Sequence, residues 1–140
     1  VTISVWGDDP LPARAAERAA SAWPENDPVL TLQPLDRSSL SSDAGLDAES
    51  IHVWTVTGAD GTGLGTLVRS LWSLDGHRAE LWWQMDNGGR IVDVEILNGV
   101  DPSISNAFRE VIGLEVSNID QCATAAGVAA GEVLRAIGSP

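Results

Sequence analysis

Residues 51–97 contain four short segments rich in β-branched, aliphatic and aromatic residues, and turn segments that contain glycine separate them. In "IHVWTVTG" the odd-numbered residues from Ile51 face one side of an extended chain, and the even-numbered residues from His52 face the other. "TLVRSLWSL" and "AELWWQM", joined by "DGHR", are two further strands, and "RIVDVEIL" is a fourth. The Asn-Gly of "DNGG" supplies the positive φ angles of a tight hairpin. The pattern therefore predicts an antiparallel β-meander.

The last of these strands carries two acidic residues on one face. Asp93 and Glu95 share that face with Ile91. The opposite face is aliphatic, with Val92, Val94 and Ile96. We expect the acidic face to lie in solvent and the aliphatic face in the core.

The meander is preceded by a predicted helix. In "GDDPLPARAAERAASAWP" Asp8 or Asp9 can cap the helix, Pro10 and Pro12 suit its first turn, and Pro24 ends it. "TISVW" (2–6) and "VLTLQPL" (29–35) are short candidate strands, and residues 36–50 are predicted to form a loop.

Two helices are predicted after the meander. In "SISNAFREVIG" Ser103 is the candidate cap, and apolar residues follow at helical spacing. In "ATAAGVAAGEVLRAIG" a narrow apolar stripe is expected to face the sheet: Val128, Val133, Leu134 and Ile137. The fold class predicted is α+β: a single domain over residues 1–140, with an antiparallel meander, an N-terminal helix and two C-terminal helices packed on the sheet.

The charge of the chain limits its partners. Twenty acidic residues against eight basic ones give a formal net charge of −12. Such a surface repels nucleic acid and anionic lipid, so we expect neither as a direct partner; a basic protein partner or a high-salt habitat fits it better. The apolar runs are shorter than the ~20 residues that span a bilayer. The start at Val1 rather than methionine is typical of a processed chain, so a removed signal peptide or anchor is compatible with it.

Three candidate sites have simpler interpretations. "GADGTGLGT" (58–66) is followed by a strand rather than a helix, which favours a hairpin turn over a nucleotide loop. The two histidines, His52 and His77, and the single cysteine show no metal-ligand spacing. Trp82 and Trp83 point to opposite faces of a strand; we favour one in the core and one under a helix over a partner or cofactor contact.

The segment "NIDQCATAAG" (118–127) carries the only cysteine and opens the last predicted helix near Ala123. A phosphate on Thr124 would meet the first amides of that helix, those of Ala125, Ala126 and Gly127. The same position would favour the thiolate of Cys122 and make it reactive. The alternative is that Asp120 or Thr124 caps the helix and that Cys122 is a small buried apolar residue.

"IDQCATAAGVAAGEVLRAI" resembles the flavin-attachment segment of FMN-binding domains, which occur in sodium-pumping NADH:quinone reductases, Rnf complexes and NosR-type regulators. In that family FMN is joined through a phosphoester to a threonine that follows Gly-Ala. Thr124 matches the attachment threonine and Ala123 the alanine, whereas Asn118, Gln121 and Cys122 replace the family's Asp, Ser/Thr and Gly. The order of elements, including "DNGGRIVDVEILNGVDP", also resembles the family over the whole chain.

The resemblance implies a specific site and role. The site would comprise Cys122, Ala123, Thr124, Ala125, Ala126 and Gly127, with FMN as cofactor. The chain would be an electron-transfer domain or subunit of a larger redox or membrane-associated complex, working with protein partners. Its location would be bacterial periplasmic or extracytoplasmic, held at the membrane by an anchor or partner. The alternative is a flavin-free structural or docking subunit with the same fold, and a third hypothesis is a free-standing enzyme.

Overall fold

The structure is a computed structural model, and it describes residues 10–34, 45–47, 50–74, 76–97, 102–115, 118 and 125–138. Within these ranges it has an N-terminal helix, five strands and two C-terminal helices, which confirms the predicted α+β class. The elements in chain order are α1 (Pro10–Ala22), β1 (Val29–Leu32), β2 (His52–Thr57), β3 (Gly63–Leu74), β4 (His77–Asp86), β5 (Ile91–Leu97), α2 (Pro102–Arg109) and α3 (Ala125–Gly138). The candidate strand at 2–6 lies outside the described residues, as does most of the predicted loop at 36–50.

The sheet is an antiparallel meander in the order β1-β2-β3-β4-β5. The β4–β5 hairpin forms at "DNGG" as predicted, but its positive φ angle lies at Gly89 and not at Asn87 or Gly88, which corrects the Asn-Gly expectation. Asp86 Oδ1 accepts hydrogen bonds from the amides of Gly88 and Arg90, each at 2.9 Å, and Gly89 has φ 85°. His77, predicted in a turn, is instead the first residue of β4 and pairs with Leu74.

One face of the sheet packs against α2 and α3. Phe108 of α2 lies edge-on to Trp72 at 5.1 Å and to Trp83 at 5.9 Å between ring centroids. Trp83 is fully buried and donates from Nε1 to Ser70 Oγ at 2.8 Å. This face holds the larger apolar cluster, which includes Ile51 and Val53 as the alternation of β2 predicts.

The opposite face packs against α1. Ala15 and Ala19 of the helix are fully buried, because small side chains let the helix lie close to the sheet. Beneath them are residues from three strands: Trp54, Val56, Leu67 and Trp82. Trp82 and Trp83 therefore lie on opposite faces, each under helices of the chain itself, as the simpler interpretation predicts.

The predicted faces of β5 are wrong at the start of the strand. Ile91 is buried and Val92 is 39% exposed, the reverse of the expectation. The β4–β5 register shifts between Gln84 and Met85, so that Met85 pairs with Ile91 and Val92 is the extra residue of a bulge. An extra residue changes which side chains face the core, and strict alternation cannot anticipate it.

The apolar stripe predicted for α3 is also corrected. Val128 is 49% exposed, whereas Ala129 and Ala130 are fully buried beside Val133 and Leu134. The small residues thus face the core, where α3 packs closely against the same face of the sheet as α2. The side chain of Ile137 lies outside the described set. In the preceding helix, α2 begins at Pro102, one residue before the candidate cap Ser103.

Candidate functional site

Helix α1 lies on the sheet so that successive turns of the helix contact neighbouring strands. Arg14 contacts Glu80 of β4, and one turn later Arg18 contacts Glu95 of β5. Trp23, just beyond the helix, reaches Gly65 of β3. The flank of α1 that faces β5 is polar, and its residues follow helical spacing: Arg14, Glu17, Arg18 and Ser21.

A cleft of about 380 Å³ separates this flank from the sheet. We call it the α1 cleft. Its floor is formed by Leu67, Trp82 and Gln84, and its far wall by Asp93 and Glu95 of β5. The register explains this grouping, because Gln84 pairs with Asp93 and Trp82 pairs with Glu95 across β4 and β5. The near wall comes from α1: Arg14, Glu17, Arg18, Ser21 and Ala22.

Glu80 does not line the cleft, but its nearly buried carboxylate binds two residues that do, Arg14 and Trp82. Its Oε2 accepts from Arg14 at 2.8 Å and from Arg69 and Trp82 Nε1 at 3.2 Å each. Burial alone would raise the pKa of Glu80, but hydrogen bonds and charges from Arg14 and Arg69 outweigh it and hold the pKa below its usual value. Glu80 is therefore a carboxylate at neutral pH.

Trp82 forms the centre of the floor. The guanidinium carbons of Arg14 and Arg18 lie 5.5 and 4.8 Å from the ring centroid, within cation–π range. Trp54 is stacked with Trp82, and His52 with Trp54, each at 5.9 Å between ring centroids. Arg18 also donates to Glu95, and this hydrogen bond lowers the pKa of Glu95 despite its partial burial. The cleft thus contains ionised, oriented groups.

Four polar side chains of the α1 cleft have no hydrogen-bond or ion-pair partner among the described residues: Glu17, Ser21, Gln84 and Asp93. Sequence reasoning missed this site. The signals were present, because Arg14, Glu17, Arg18 and Ser21 follow the i, i+3, i+4, i+7 spacing of one helix face. Their meaning depended on which flank of α1 would turn toward β5, and sequence does not specify that.

The structure describes only part of the predicted flavin site. Cys122, Ala123 and Thr124 lie outside the described residues. Ala125, Ala126 and Gly127 form the first turn of α3, and Gly127 is buried. The predicted helix therefore agrees with the structure at residues 125–127. Attachment of FMN at Thr124 stays a prediction.

Most tryptophans in the described part of the chain are buried. Of the five tryptophans in the described ranges, only Trp23 is more than 5% exposed; the buried ones are Trp54, Trp72, Trp82 and Trp83. In the described ranges the buried tryptophans therefore present little open ring surface for a cofactor contact.

The glycine-rich segment 58–66 forms the β2–β3 hairpin, as the favoured interpretation predicts. The amide of Gly58 donates to the Thr62 carbonyl at 2.8 Å, and Asp60 Oδ1 accepts from the Thr62 amide at 3.0 Å, which lowers the pKa of Asp60. Over the described ranges, no group of three or more His, Cys, Asp or Glu side chains could hold a metal ion. In the same ranges no helix has the length and apolar character needed to cross a membrane.

Comparison with known proteins returns no match: no protein-family model, curated protein or solved structure is significantly similar to this chain.

Proposed function

We propose that this chain is an electron-transfer domain of a larger redox complex, with FMN attached through its phosphate to Thr124. The observation that carries the proposal is where α3 begins. Its first described turn is Ala125 to Gly127, directly after Thr124. The resemblance of "IDQCATAAG" to the flavin-attachment segment supplies the identity of the group.

The physical support comes from the chemistry of a helix start. The first amides of a helix have no carbonyl partner within the helix, and the helix dipole favours negative charge at that end. A phosphoester on the Thr124 hydroxyl would lie beside these amides, and the small side chains of Ala125 and Ala126 would leave room for its oxygens. When bound, the flavin supplies the redox chemistry, and the protein's part is to hold the phosphate and to orient and tune the flavin.

Intact mass and visible absorption of the protein from its native host test this proposal. We expect the added mass of one FMN and a flavin spectrum, both lost in Thr124→Ala and both retained in Thr31→Ala, which removes an exposed hydroxyl from β1. A colourless native protein with unmodified mass would refute it. Expression without a flavin transferase is not a fair test, so the native host is required.

A second candidate is a flavin-free docking subunit. The Trp82 ring is covered by Arg14 and Arg18 of the chain's own helix, so it is not open for stacking by a flavin ring. This observation favours a flavin-free chain. The net charge of −12 would then select a basic protein partner. Purification from native lysate at low salt should retain a stoichiometric basic protein that is released at high salt. Recovery of the chain alone at low salt would contradict this candidate.

A further inference from the structure

The α1 cleft contains charges that the described protein does not compensate. The carboxylates of Glu17 and Asp93 have no ion-pair partner among the described residues, whereas Glu80 and Glu95 are paired with arginines. A cleft with two exposed, unpaired carboxylates on opposite walls attracts a ligand that has two cationic groups.

The two arginines of the cleft have hydrogen-bonding capacity left. Arg14 uses one terminal nitrogen for Glu80, and Arg18 uses one for Glu95. A guanidinium has five N–H donors, so each side chain keeps donors that can meet an anionic oxygen. Both guanidinium groups are also held over Trp82, so a carboxylate that binds them meets donors whose orientation is already set.

The remaining lining suits a short aliphatic chain and a polar group. Leu67 and Trp82 supply an apolar floor, and the Gln84 amide adds a neutral donor and acceptor. Ala22 and Ser21 are small, so α1 leaves space above the Gln84–Asp93 row. A volume of about 380 Å³ is at the lower end of the range of small-molecule sites, about 300–1,000 Å³.

We infer that the α1 cleft binds a free dibasic α-amino acid, of the lysine or arginine type. Its two cationic groups pair with Glu17 and Asp93, its carboxylate meets the spare donors of Arg14 and Arg18, and its methylene chain lies on the floor. The inference uses none of the residues of the flavin proposal, so the two can succeed or fail separately.

Calorimetric titration of the full chain with L-lysine tests the site. Cadaverine, which lacks the carboxylate, and Nα-acetyl-L-lysine, which lacks the α-ammonium, are the matched probes. Each should bind about threefold or more weakly than L-lysine, because each lacks one charged group that the cleft would pair at a solvent-exposed site. Asp93→Asn and Glu17→Gln should each weaken L-lysine binding by a similar factor.

Glu110→Gln is the control, since it makes the same charge change on an exposed residue just after α2. It should leave the affinity within about twofold, as expected for a remote screened charge. The inference is overturned if L-lysine at about 10 mM gives no heat in the calorimeter and no change in the amide NMR signals of the chain. That concentration is about tenfold above a dissociation constant of about 1 mM, which is already weak for a specific site. It is equally overturned if cadaverine binds as well as L-lysine, or if Glu110→Gln weakens binding as much as Asp93→Asn.

Discussion

The guanidinium carbon of Arg18 lies 4.8 Å from the ring centroid of Trp82, and the same guanidinium donates to Glu95. One side chain of α1 therefore links the helix to both β4 and β5. Arg18→Ala should lower the free energy of unfolding by about 1–2 kcal/mol, from the lost cation–π contact and a partly exposed ion pair. Urea denaturation measures the change.

Arg78→Ala is the matched control for that variant, because Arg78 is exposed on β4 and has no ion-pair partner among the described residues. It should change the free energy of unfolding by no more than about 0.5 kcal/mol. Equal effects of the two variants would show that Arg18 contributes nothing beyond an ordinary surface arginine.

Glu80→Gln should be more destabilising than Arg18→Ala. The substitution keeps the shape but removes the charge that compensates Arg14 and Arg69. Breaking a fully buried pair costs about 3–5 kcal/mol, and the 38% exposure of the Arg14 side chain reduces this to about 2–3 kcal/mol. Glu110→Gln, at an exposed site, should stay within about 0.5 kcal/mol. A Glu80→Gln variant as stable as the unmodified chain would contradict the assigned network.

The low pKa of Glu80 also predicts how stability depends on pH. Its folded pKa is below the unfolded value of 4.5, so the unfolded chain binds more protons between the two values. The stabilisation is complete above about pH 4.5 and is lost as the pH falls through the folded pKa. The free energy of unfolding, measured by urea denaturation from pH 7 down to pH 3, should therefore fall more steeply in the unmodified chain than in Glu80→Gln. Parallel profiles would contradict the assignment.

The sequence predicted the meander, the positions of the helices and the opposite faces of Trp82 and Trp83, because period, turn residues and prolines act locally. It did not predict the bulge that buries Ile91 and exposes Val92, since a bulge arises from pairing with β4. The α1 cleft was missed for a related reason. Asp93 on β5 and Glu17 on α1 are 76 positions apart, and tertiary packing alone brings them to one space.

Ser70 and Trp83 form a buried pair that a double-mutant cycle can test. Ser70→Ala leaves the buried Trp83 Nε1–H without its acceptor, which should cost about 1–3 kcal/mol. Trp83→Phe should also destabilise, through lost packing. The double variant should be less destabilised than the sum of the singles by about 1 kcal/mol, as expected for residues in direct contact. Strict additivity would show that the hydrogen bond has no energetic role.

Gly65 is the point of closest approach between β3 and its surroundings. A Cβ atom there would lie 2.2 Å from the Met85 carbonyl oxygen and 2.9 Å from Trp23 Cζ2. The tryptophan can shift, but the β4 backbone cannot without breaking the ladder. Gly65→Ala should therefore destabilise the fold by about 2–4 kcal/mol. Gly88→Ala is the control, because its Cβ meets only Asp86 Oδ1 at 3.4 Å. If thermal unfolding shows both variants equally stable, Trp23 and β4 do not lie as close to Gly65 as the structure has them.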